Sequence, residues 1–142
     1  MPRELIATAP RTPEIRDYDE PPLSPRQIRI RTEFASPKHG TELVSYRAEP
    51  AALRPYDPAR GVVISRPDAS PNQGFPRPLG NMAVGVVAEC GSEVTRFQTG
   101  DRVFGHFPIR ETQTVDETLA DRLPDRLSAE GAVCLDPAVM AL

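Results

Sequence analysis

Ala83-Val84-Gly85-Val86-Val87-Ala88-Glu89-Cys90 is the stretch on which the fold turns. It is a nearly continuous apolar run, as expected of a strand buried on both faces. Gly85 in its middle points to a bend or to a close approach of neighbouring backbone. The clearest strand of the first half is Gln27-Ile28-Arg29-Ile30-Arg31-Thr32-Glu33-Phe34. Its alternation sets Ile28, Ile30, Thr32 and Phe34 on one face and Arg29, Arg31 and Glu33 on the other.

Outward from these two runs the chain reads as short strands punctuated by proline. Leu5-Ile6-Ala7 is a short apolar strand closed by Pro10 and Pro13, and Glu14 to Tyr18 alternates as a half-exposed strand should. Pro21, Pro22 and Pro25 form a rigid turn that cannot enter a sheet interior. Seven prolines lie between Pro50 and Pro78, an interval in which only Val62-Val63-Ile64 is expected to pair as a strand. Long segments of this kind are often functional loops. After Gly91 the sequence predicts a turn, an excursion with Val94 and Phe97 turned inward, a Gly100-Asp101 turn and a strand at Arg102 to Phe104. Further short strands are expected at Phe107 to Arg110 and Thr114 to Val115. Ser128 is placed as the N-cap of a terminal apolar helix with Glu130 in its first turn, interrupted at Pro137. Many short strands with one terminal helix predict a small antiparallel β barrel.

Composition removes other classes. The chain has 142 residues, room for one domain, with 17 Lys and Arg against 20 Asp and Glu. A net charge of −3 lacks the basic face of a nucleic-acid binder. No run approaches the roughly 18 apolar residues of a membrane-spanning helix. The start, Met1-Pro2-Arg3-Glu4, is not a secretory signal, so a cytoplasmic location is expected. Cys90 and Cys134 are too few for a disulfide framework and are expected as reduced, buried apolar residues. Proline makes up 17 of 142 residues, about 12% against a usual level of roughly 5%.

Pro78-Leu79-Gly80-Asn81-Met82-Ala83-Val84-Gly85-Val86-Val87, Gly91-Ser92-Glu93-Val94-Thr95-Arg96-Phe97 and Gly100-Asp101-Arg102-Val103-Phe104-Gly105 together resemble the medium-chain dehydrogenase/reductase family, in its GroES-like catalytic domain. Three further stretches agree in order and spacing. Glu20 to Phe34 is similar to the family's proline-turn-strand entry, Ala35 to Glu42 to its Cys-Gly-Thr-Asp loop, and Leu123-Pro124-Asp125-Arg126-Leu127-Ser128 to its Leu-Pro-Asp segment. The resemblance implies a mainly β, GroES-like small barrel over residues 1–127, with residues 128–142 beginning an inter-domain helix. It also implies a substrate-side domain that transfers hydride between an alcohol or carbonyl compound and NAD or NADP. The cofactor would be bound by a separate Rossmann domain. No two of the nine glycines stand two positions apart, so the Gly-x-Gly-x-x-Gly fingerprint of such a domain does not occur here. The chain is therefore expected to be one domain of two and inactive alone.

Carried over position by position, the family's zinc motif changes character. His39 stands at the position of the loop cysteine, Asn81 and Met82 at the His and Glu of Gly-His-Glu, and Glu42 at the loop Asp. Thr41 keeps the hydroxyl that relays protons in zinc-dependent members, and Asp136-Pro137 resembles the Glu-Pro of the polyol branch. Asn81 is a poor zinc ligand and Met82 prefers softer metals. A zinc-free member is expected, with His39, Thr41 and Asn81 as catalytic candidates and Glu42, Met82 and Asp136 as substrate contacts. His39, Glu42 and Asp136 would bind a metal only if the fold brought them together. His106 is read as surface or cleft rim. A free-standing GroES-like binding or assembly module, its apolar terminal segment pairing with another copy, is the alternative to an enzyme.

Overall fold

The computed structural model describes residues 1–48, 56–57, 62–63 and 74–135. The two runs that decide the fold are paired with each other. Strand β7 (Met82–Cys90) lies antiparallel to β3 (Gln27–Ser36), from Ile28 opposite Cys90 to Ser36 opposite Met82. They form the centre of a five-stranded sheet ordered β10-β8-β7-β3-β9, with β8 at Arg102–Gly105, β9 at Thr112–Asp116 and β10 at Asp121–Arg122. A second sheet, ordered β2-β1-β6, joins β1 (Arg3–Ala9), β2 (Thr12–Asp17) and β6 (Arg77–Pro78). Short strands β4 (Tyr56–Asp57) and β5 (Val62–Val63) pair separately. Every strand pairing described is antiparallel, as the small β fold expected from sequence requires.

The composition of β7 follows from its place between two cores. Ala83 and Val87 belong to one cluster with Ile28, Ile30, Val103, Phe107 and Ala120. Met82 and Val84 belong to another with Leu123, Ala132 and Val133. Since successive side chains of a strand point to opposite faces, only an unbroken apolar run satisfies both clusters. Burial on both faces ends at Val87, because Ala88 and Glu89 are exposed. Gly85 sits where the backbones come closest. A Cβ there would lie 2.3 Å from the Arg31 carbonyl oxygen.

Four expectations are corrected. The pairing of β3 with β7 is irregular between Thr32 and Phe34, which breaks the period-two phase and leaves Phe34 40% exposed instead of inward with Ile28 and Ile30. Pro13 does not end a strand; it lies inside β2, whose residues are all exposed, an edge position that tolerates a missing N–H. Among the described residues, Phe107 to Arg110 forms a single bridge, Glu4 to Arg110, rather than a strand, although Phe107 itself is buried. Cys134 is exposed; Cys90 is half-buried, packs against the first cluster, and has its thiol pKa raised, chiefly by burial. Val94 and Phe97 pack inward as expected.

The terminal helix starts as anticipated. The Ser128 hydroxyl accepts the Gly131 N–H at 3.1 Å and opens α2 (Ala129–Ala132). Ala132 and Val133 are buried in the second cluster, so this part of the apolar tail packs on its own domain and is not the exposed surface expected for pairing with another copy. Residues 136–142, including Pro137, lie outside the described residues, as do the prolines at 50, 55, 58, 67 and 71.

Two buried carboxylates tie separate segments together. Glu4 is ion-paired to Arg16 and to Arg110, each at 2.7 Å. Glu117 Oε2 accepts the backbone N–H groups of Arg96 at 2.7 Å and Thr95 at 3.0 Å, while Arg96 donates back to the Glu117 carbonyl at 2.8 Å. These bonds, the Arg96 N–H foremost, hold the Glu117 pKa below its ordinary 4.5. A lowered native pKa gives stability that is present above the ordinary value and lost as pH falls through the native one. Replacing Glu117 by Gln should therefore lower stability near neutrality and flatten its decline in acid, read from urea midpoints taken from pH 7 downward. Parallel curves for both proteins would refute this. Gly85→Ala should cost about 1–3 kcal/mol in the same assay, since the added methyl group meets fixed backbone.

Candidate functional site

Antiparallel pairing brings the end of β3 beside the start of β7, and the candidate residues cluster at that end. After Ser36 the chain passes Pro37 and Lys38 into helix α1 (His39–Tyr46), where a loop was expected. His39 and Thr41 occupy its first turn. Asn81 immediately precedes β7, is half-buried, and donates its backbone N–H to the Ser36 carbonyl at 3.3 Å. The backbone thus places His39, Thr41 and Asn81 at one end of the central strand pair. Met82 begins β7 and is buried in the second cluster. Asp136 lies outside the described residues. His106 is exposed.

Glu42 joins the two halves of this end. The N-cap residue of α1, Lys38, does not cap the helix through its side chain. Glu42 Oε2 accepts the Lys38 backbone N–H instead, and Oε1 accepts the Gly80 backbone N–H at 2.6 Å. A first-turn carboxylate is also favoured by the helix dipole. The turn it reaches is held from other directions as well. Leu79 donates to the Leu5 carbonyl at 3.1 Å, Ile109 donates to the Leu79 carbonyl at 2.7 Å, and Leu5 donates to the Ile109 carbonyl at 2.9 Å. Gly80 has φ +95°, and a Cβ on it would stand 2.4 Å from Ile109 Cγ1. Leu5, Leu79, Gly80 and Ile109 were not singled out as site residues. Only the glycine of Gly80-Asn81-Met82 carried a signal in the sequence, because the others act through backbone atoms that any residue supplies.

An apolar cleft of about 220 Å³ adjoins this scaffold, lined by Leu5, Pro13, Pro37, Leu43, Tyr46 and Leu79 together with Glu42. A larger cavity, about 310 Å³, holds none of the candidates and is bordered by charged residues such as Arg3, Glu33 and Glu111. The smaller cleft is the one next to the candidate residues.

Among the described residues the donor set does not fit a catalytic zinc. Such a site needs three thiolate, imidazole or carboxylate ligands and an open position. Asn81 and Met82 replace two ligand-motif residues, and both oxygens of Glu42 already accept backbone N–H groups. Among the described residues no group of three or more His, Cys, Asp or Glu is arranged to hold a metal. Nor is any described helix long and apolar enough to cross a membrane.

The fold is matched in known proteins. Residues 40–129 match the family described as "Alcohol dehydrogenase GroES-like domain". D-guloside 3-dehydrogenase of Escherichia coli (strain K12) is 34% identical over 156 residues, covering 99% of this chain and 42% of that protein. The chain thus spans less than half the length of this curated relative. A quinone oxidoreductase of Pseudomonas syringae pv. Tomato DC3000 superposes with a TM-score of 0.66 at 25% identity, over 95% of this chain and 37% of that one. The 2R,3R-butanediol dehydrogenase of Bacillus subtilis shares the fold, with a TM-score of 0.72 at 22% identity over 99% and 46%.

Gly80→Ala should destabilise the protein by about 1–3 kcal/mol, because positive φ and the Ile109 contact both oppose a side chain. Denaturant titration is the measurement, and an unchanged midpoint would show that the Leu79–Asn81 turn is free to relax.

Proposed function

Because the chain belongs to the alcohol dehydrogenase GroES-like domain family, we propose that it is the substrate-side domain of an NAD(P)-dependent oxidoreductase of the medium-chain dehydrogenase/reductase type. The observation that carries this reading is that α1, whose first turn holds His39 and Thr41, begins at the end of β3 that lies beside Asn81, within the matched region or adjoining it. The substrate is a secondary alcohol or the corresponding carbonyl compound. A sugar derivative is favoured over a simple aliphatic alcohol by the similarity to D-guloside 3-dehydrogenase. Zinc takes no part in the reaction we assign.

Nicotinamide, bound by a nucleotide-binding domain outside these 142 residues, would supply the hydride acceptor. This chain's residues handle the proton and the oxygen. In the oxidising direction the hydroxyl proton of the substrate passes to the His39 imidazole, directly or through the Thr41 hydroxyl. The Asn81 amide donates a hydrogen bond to the same oxygen as negative charge develops there. Reduction reverses each transfer, and His39 then acts as the acid. The apolar cleft beside Glu42 offers a surface for the carbon skeleton next to the reacting carbon.

The test uses the enzyme that contains this chain joined to its nucleotide-binding domain. With NAD or NADP and a panel of glycosides and secondary alcohols, it should form reduced nicotinamide. Asn81→Ala and His39→Asn should each lower kcat by about 10²–10⁴. Activity should survive chelation, with under about a tenth of an equivalent of zinc bound. Stoichiometric zinc with chelator-sensitive turnover would overturn the metal-free assignment. Absence of hydride transfer together with tight self-association would favour a binding or assembly module instead.

A further inference from the structure

The bond from Gly80 to Glu42 connects two segments 38 positions apart in sequence, and both carry the residues to which the proposed chemistry is assigned. Glu42 lies on the same helical turn as His39 and Thr41, and the residue after Gly80 is Asn81. One carboxylate thus accepts from the backbone at the start of α1 and from the backbone just before β7. We infer that Glu42 is a positioning residue: it fixes the distance between the helix bearing His39 and Thr41 and the turn bearing Asn81, and takes no part in the transfer at the reacting oxygen. This rests on the functional reading above.

Three observations support that role over simple helix capping. Capping α1 needs only the bond to Lys38, yet the second oxygen reaches out of the helix to Gly80 at 2.6 Å. Carboxylate-to-backbone hydrogen bonds are charge-assisted and roughly twice as strong as neutral ones, so this contact can hold a geometry. The rest of the turn is tied to Leu5 and Ile109, which belong to neither α1 nor β3. Among the described residues, it is the Glu42 bond that refers the Leu79–Asn81 turn to α1. The Asn81 N–H refers it to the end of β3 through a longer contact of 3.3 Å. A shift of about 1 Å between groups that act on one oxygen can cost 10²-fold in rate.

The experiment compares Glu42→Ala, Glu42→Gln and Glu42→Asp in the enzyme joined to its nucleotide-binding domain. Amide hydrogen exchange is followed at Gly80 and Asn81 alongside steady-state kinetics. Glu42→Ala should speed exchange at Gly80 at least about tenfold and lower kcat about 10- to 100-fold, with KM changed less than about threefold. Glu42→Gln keeps an acceptor for one N–H but turns a donor toward the other, so it should fall between wild type and Ala in both readouts. It also keeps the question open to measurement if the Ala variant does not fold. A helix cap alone would loosen exchange in α1 and leave Gly80 and kcat unchanged, which would overturn the proposal. Faster Gly80 exchange with unaltered kcat would overturn it too, while leaving the enzymatic reading intact. Failure of that reading appears separately, as a wild-type enzyme that transfers no hydride. If KM rises steeply while kcat holds, Glu42 contacts the substrate and the inference is wrong.

Discussion

The antiparallel pairing of β3 with β7 is the constraint from which the rest of the domain follows. It runs nearly the whole length of both strands, and its close approach at Gly85 leaves no room for a side chain against the Arg31 carbonyl. β7 carries one core on each face, so the clusters under Ile28 and under Leu123 are both anchored by it. The same pairing fixes where the chain leaves the sheet. Ser36 faces Met82, so whatever follows β3 must lie beside whatever precedes β7. The candidate site is a direct product of that register.

Around this frame, polar side chains bind backbone more than they bind each other. Glu42 and Glu117 each accept two main-chain N–H groups, and the Ser128 hydroxyl accepts one at the start of α2. In a chain so rich in proline, many residues have no ladder or helix partner, and buried N–H groups still need acceptors. Side-chain oxygens supply them. This accounts for the buried Glu117 beside the Thr95–Arg96 segment, in a domain whose cores are otherwise aliphatic.

Much of the fold was legible in the sequence, and the reasons are local. The alternation of Gln27 to Phe34 and the unbroken run after Asn81 each have one reading as strands, and Ser128 is a cap by its chemistry. What escaped was set by distant contacts. The inward phase of Phe34 was lost to an irregularity in pairing with β7, and α1 was read as a loop because its first turn is stabilised by a carboxylate whose second partner lies 38 residues away. His39, Thr41 and Asn81 could be proposed from motif positions, and their shared location then follows from the sheet. That Glu42 bonds backbone on both sides is invisible without coordinates, since Gly80 contributes only its N–H.

The edge strand β2 bears on whether the sheet it closes could be extended by another strand. Among the described residues its outer side has no strand partner, the usual template for one sheet to extend into another. Thr12-Pro13-Glu14-Ile15-Arg16-Asp17 obstructs that growth in two ways. Pro13 withholds a donor, and three charged side chains flank the exposed Ile15. The proline that seemed to mark the end of a strand therefore serves as a guard against β-sheet aggregation.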